Sequence, residues 1–167
     1  MTDTDERTVL GGFGRWARLD LPRGAAQPSI ARVVVATVVA VVGSMLACWL
    51  LAAAAVHLDP SLQGYDHFHF VDYAKLGIPG IVIACAAWPV VTWFSSQARR
   101  LFLLLAVLVT VASFLPDLWI GIHGQPAAGV WTLVLMHVAL LVVTYPALVL
   151  IAPQRTDRRI ADGLAFR

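Results

Sequence analysis

Four long apolar runs, at 33–56, 76–94, 101–122 and 130–152, limit the fold of this chain more severely than any other feature. Three contain no Asp, Glu, Lys or Arg, and the run at 101–122 contains a single acid, Asp117. A helix crosses a hydrocarbon layer of roughly 30 Å in about 20 residues at 1.5 Å per residue, and each run is near that length. Strands fit poorly, because period-two alternation is missing and a closed barrel needs at least about eight strands. The whole chain agrees: of 167 residues, 59% are hydrophobic and 13% charged, and the mean hydropathy of +0.78 lies outside the usual range of water-soluble domains. The expected fold is all-α, a polytopic membrane protein built as an antiparallel four-transmembrane-helix bundle. The first run ends in the small-residue stretch LLAAAAV. It exceeds a secretory h-region of about 7 to 15 residues and follows about thirty others, so it reads as a retained span.

Positive charge supplies an orientation. Arg7, Arg15, Arg18, Arg23 and Arg32 precede the first run, Arg99 and Arg100 separate the second from the third, and Arg155, Arg158, Arg159 and Arg167 follow the fourth. Only Lys75 of the twelve basic residues falls on the other side. The positive-inside rule then predicts a plasma (inner) membrane protein with both termini cytoplasmic. The formal charge of +2 hides this split. It is read as contact with anionic lipid heads, so the bilayer is the expected partner and nucleic acid is not.

Residues 1–32 form an N-terminal tail and 153–167 a C-terminal one. Leu10, Phe13, Trp16 and Ala17 share a helical face, as in a short interfacial helix, while Gly11, Gly12 and Gly14 favour a plain flexible tail. In the first run Ala36, Ala40, Ser44, Cys48 and Ala52 recur at every fourth position, a narrow stripe of small side chains that lets another helix approach closely. Gly80 and Ala84 in the second run offer a matching surface. Counting from the predicted helix ends puts Cys48 and Cys85 at similar depths of about 12 to 14 Å, as packed small residues rather than a disulfide.

The segment HLDPSLQGYDHFHFVDYAK joins the first two runs. If it is extended, His67 and His69 face the same way, and with Asp66 or Asp72 they could ligate a divalent metal. The competing expectation is an aromatic belt, with Tyr65, Phe68, Phe70 and Tyr73 at headgroup level and the His and Asp residues in water. The connections at 95–100 and 123–129 are short, which makes the helices they join antiparallel neighbours.

Two polar residues lie deep in apolar runs. Asp117 is about 24 Å along its helix, and His137 is about 10 Å below the same surface on the next one. Side chains lean toward the N-terminus of their own helix, so the two lean toward each other. Such a pair serves either a ligand or proton site or helix registry. Pro116 removes the bond to the Ala112 carbonyl, so a kink or a restarted helix capped by Asp117 is expected there. Pro79, Pro89 and Pro146 lie in two other runs.

The segments SFLPDL (Ser113, Pro116, Asp117) and GQPAAGVWTLVLMH (Leu135, Met136, His137) resemble an uncharacterised family of small four-helix membrane proteins of actinobacteria. The resemblance spans the second to fourth runs and implies the same fold and membrane location, with no activity attached. No catalytic set, phosphate loop or zinc spacing is present in the sequence, so neither an enzyme nor a cofactor is expected. The stripe of small residues suggests an accessory or assembly subunit working by helix packing, within a larger membrane complex or a homo-oligomer. The alternative is a small-molecule, lipid or proton-binding protein, or an oligomeric transporter, using Asp117 and His137.

Overall fold

A computed structural model describes residues 25–156. The proposed interfacial helix at Leu10 to Ala17 and the arginines at either extremity lie outside the described residues. Four helices follow in order: α1 (Ile30–Leu58), α2 (Phe70–Phe94), α3 (Ala98–Ile122) and α4 (Ala127–Ile151). All four are long and apolar enough to cross a membrane. A two-residue antiparallel ladder, β1 (Ala25–Ala26) with β2 (Arg155–Thr156), brings the two ends of the described chain together.

Each helix outruns or shifts from its apolar run for a local reason. Pro60, whose ring restricts the residue before it, ends α1 at Leu58. Helix α2 starts at Phe70 rather than at 76, because Asp72 and Lys75 are tolerated on the exposed side of its first two turns, where Lys75 Nζ lies 3.4 Å from Asp72 Oδ1. The apolar run marks the part fit for hydrocarbon, not the helix. Pro116 lies inside α3, and the helix does not restart there; Pro79, Pro89 and Pro146 are likewise internal.

The small-residue stripe is buried throughout: Ala36, Ala40 and Ser44 are 0% exposed, Cys48 1% and Ala52 7%. Its main partner is α4, with α2 packing beside it. Helix α1 packs most extensively on α4, which also carries α3 and is the central helix of the bundle. Ser44 Oγ meets Thr144 Oγ1 at 3.5 Å, and a Cβ at Gly43 would stand 2.9 Å from Val143 Cγ1. Gly80 faces open space, while Ala84 is half-buried and packs against the cluster that holds Ala36 and Ala40. The cysteines are not level either. Cys85 lies against the Thr37 side chain, about 16 Å along α1 from Cys48 at 1.5 Å per residue. The earlier start of α2, six residues or about 9 Å, accounts for part of the difference in depth. Both thiols are free.

At the end of the bundle where the described termini lie, side chains close the helix ends. Trp88 is fully buried and donates its indole N–H to the Ala152 carbonyl at 2.7 Å, capping α4. Gln154 Nε2 donates to the carbonyls of Thr92 and Ser95, both at 2.9 Å, capping α2. The Thr92 hydroxyl bonds Gln27 Oε1 at 2.8 Å. Such groups satisfy carbonyls that a helix leaves open at its C-terminus. Elsewhere the surface is aliphatic: Val34, Val38, Val42, Leu108, Val109 and Leu115 are all exposed. Contiguous apolar surface on this scale suits hydrocarbon rather than water. The protein is a multi-pass membrane protein.

Candidate functional site

The opposite end, where the two longer connections lie, gathers the buried ionisable groups. Gly121 on α3 and Val130 on α4 are in near contact, a Cβ at Gly121 falling 3.4 Å from Val130 Cγ1. This close approach sets the register of the α3–α4 hairpin. Asp117 lies one turn below Gly121 and His137 two turns below Val130, and they meet with Asp117 Oδ2 3.0 Å from His137 Nδ1. The expected convergence is found. Phe114, one turn before Asp117, sets its ring edge-on to the imidazole at 6.3 Å between centroids.

The pair is short of hydrogens. His137 Nδ1 also lies 3.1 Å from the Leu133 carbonyl, in good hydrogen-bond geometry. One ring nitrogen thus faces two acceptors with at most one hydrogen, and the carbonyl is the better aligned. Asp117 Oδ2, on a side chain only 9% exposed, is left without a hydrogen bond among the described residues. Leaving a buried acceptor unsatisfied costs about 1 to 3 kcal/mol, more for a charged one.

Tyr65 belongs to the same place, which the sequence reading missed by assigning it to the aromatic belt. The α1–α2 connection is two short 3₁₀ turns, Pro60–Leu62 and Asp66–Phe68, rather than an extended segment. Asp59 Oδ1 accepts the N–H and hydroxyl of Ser61 at 3.1 and 2.6 Å, and Leu62 is buried at 2%. Gly64 takes φ +83°, a conformation glycine adopts without a Cβ clash. This turn swings Tyr65 across onto α4, where its ring rests on Gly129: a Cβ there would be 2.9 Å from Tyr65 Cε1. The Tyr65 hydroxyl is buried and, like Asp117 Oδ2, has no hydrogen-bond partner among the described residues. Burial, then the charges of Asp117 and Asp66, push the phenol above its ordinary value, so it remains a neutral O–H at physiological pH.

Tyr65 also borders an open groove of about 630 Å³. Trp49 and Phe68 supply apolar wall, and His57, Gln63 and His69 supply polar groups. Volumes of roughly 300 to 1,000 Å³ with a few polar groups on an apolar lining are typical of small-molecule sites.

The metal expectation fails on geometry. With Asp66–Phe68 in a 3₁₀ turn of about three residues per turn, His67 and His69 no longer face the same way. The His67 ring stands edge-on to Tyr65 at 5.2 Å, His69 borders the groove, and Asp72 lies beside Lys75. Among the described residues no three His, Cys, Asp or Glu side chains are grouped to hold a metal ion. The aromatic belt is divided: Phe70 is exposed, while Tyr65, Phe68 and Tyr73 turn partly inward.

The chain matches no protein-family model, no curated protein and no solved structure.

Proposed function

We propose that this protein binds a small hydrogen-bonding solute at the end bearing the α1–α2 connection, with the Asp117 and His137 pair as its proton-exchanging group. The observation that carries this reading is a pair of buried oxygens without hydrogen bonds among the described residues, the Tyr65 hydroxyl and Asp117 Oδ2, the latter approached by His137 Nδ1 at 3.0 Å. Buried polar groups in folded proteins are nearly always paired, and ionisable residues inside membrane spans mark ligand or proton sites. A solute in the groove touches Tyr65, whose phenol also feels the charge of Asp117. Occupancy of the groove and the proton of the pair are thereby coupled through one side chain. By the charge asymmetry, the termini face the cytoplasm and the groove opens on the outer side of the plasma membrane.

The accessory-subunit reading drew on the stripe from Ala36 to Ala52, and α4 already covers that stripe inside the bundle. The reading therefore ranks second.

The test is a pH titration of the histidine ring nitrogens by NMR in nanodiscs, with the His137 signal identified by its loss in His137→Ala. That signal is expected to titrate and to move in Asp117→Asn. It is also expected to move in Gly129→Ala, where the new Cβ pushes the Tyr65 ring away. A His137 signal indifferent to both variants, in protein that inserts normally, sinks the proposal.

A further inference from the structure

At the end where the termini lie, a second groove of about 340 Å³ runs between the first turns of α1 and the last turn of α4. Its walls are Ala31, Val35, Leu150 and Ile151, and Arg32 stands at its edge. We propose that this groove is a site for one anionic phospholipid, with an acyl chain against Val35, Leu150 and Ile151 and the phosphate on Arg32.

Position in the bilayer comes first. Helix α1 has 29 residues, about 43 Å at 1.5 Å per residue against a hydrocarbon core of roughly 30 Å, so its first residues reach headgroup level. Arg32 is the third residue of that helix, and the aliphatic wall lies just below it. A phospholipid has the same order, charge above and hydrocarbon beneath.

Charge then selects the headgroup. The described acids, Asp59, Asp66, Asp72 and Asp117, all belong to the far end of the bundle. Among the residues whose side chains are described, the ionised groups of the termini end are Arg32, Arg99 and Arg100. Arg32 is exposed and has no hydrogen bond or ion pair among the described residues, so its guanidinium is available to a phosphate in bidentate fashion. The β1–β2 ladder pairs Ala26 with Arg155, which sets a second arginine's backbone a few residues from the start of α1. A zwitterionic headgroup would bring a choline or ethanolamine cation up to Arg32, the charged residue at the edge of the groove. An anionic one brings no such cation.

The experiment is native mass spectrometry of the full chain, extracted in mild detergent and exchanged with phosphatidylglycerol or phosphatidylcholine. One phosphatidylglycerol is expected to be retained. Arg32→Gln should lower that retention by roughly fivefold or more, the factor expected from losing one arginine at a membrane surface. Leu150→Trp, which fills the groove without touching the charge, should lower it as well. Paired Arg99→Gln and Arg100→Gln substitutions should leave it within about twofold. Equal retention of both lipids would overturn the site, as would loss that tracks the number of arginines removed rather than Arg32. So would unchanged retention in either Arg32→Gln or Leu150→Trp.

Discussion

Gly43→Ala probes the pairing of α1 with α4, on which the position of His137 depends. A Cβ at residue 43 lies 2.9 Å from Val143 Cγ1, about 0.5 Å inside the 3.4 Å at which ordinary contact begins. Val143 cannot turn aside, because a β-branched side chain in a helix has one strongly preferred χ1 rotamer. The helices must separate, and overpacking of this kind costs about 1 to 3 kcal/mol. Alanine recovers about 1 kcal/mol over glycine in helix propensity, so the net loss is about 0 to 2 kcal/mol. Removing the obstacle isolates the clash. In a Val143→Ala background the same Gly43→Ala change should be neutral or stabilising, giving a coupling of about 1 kcal/mol or more in a double-mutant cycle. Gly80→Ala serves as control, since a Cβ there meets nothing within 4 Å. Reversible unfolding in mixed detergent micelles, followed by tryptophan emission, reads all four variants. Additivity of the two changes within about 0.5 kcal/mol would refute the α1–α4 register. A Gly80→Ala loss exceeding that of Gly43→Ala would instead restore the α1–α2 pairing.

Two further outcomes follow from buried polar contacts. Trp88→Phe leaves the Ala152 carbonyl without its donor and should cost about 1 to 3 kcal/mol in the same assay. Trp93→Phe, at a position 62% exposed, should stay within about 0.5 kcal/mol, and equal effects would refute the capping role. Tyr65 gives a pH signature. Its folded value is raised above 10 by burial, Asp117 and Asp66, so the native state holds this proton more tightly than the unfolded chain. The associated stability is complete below pH 10 and is lost as pH rises through the folded value. In alkaline difference spectra Tyr65→Phe should remove a late-titrating tyrosinate, and Asp117→Asn should move that titration back toward 10. No movement in Asp117→Asn denies the coupling between the groove and the acid.

The spans were legible because a bilayer imposes a length and a composition together, and both appear in one dimension. The stripe from Ala36 to Ala52 was also legible, as periodicity alone reports one face of a helix. Its partner was not. Gly80 and Ala84 matched it in kind, but small residues state how close a neighbour may come without naming it, and the register of Ser44 with Thr144 is a tertiary fact. The meeting of Asp117 with His137 could be foreseen from helix direction and depth. Tyr65 was hidden by an assumed extended loop, although Asp59, Pro60, Ser61 and Gly64 are turn residues and pointed to its reversal. The expected restart at Pro116 gave way because losing one backbone bond does not end a long, tightly packed helix.

The capping bonds of Trp88, Thr92, Ser95 and Gln154 also impose an order in time. A ribosome completes α2 well before residues 152 to 154 exist. Through that interval the Trp88 indole and the carbonyls of Thr92 and Ser95 have yet to form the bonds that Ala152 and Gln154 make in the folded chain. The second span is thus finished by the exit of the fourth, and a nascent chain that stops short of Gln154 carries four apolar segments but an open seam.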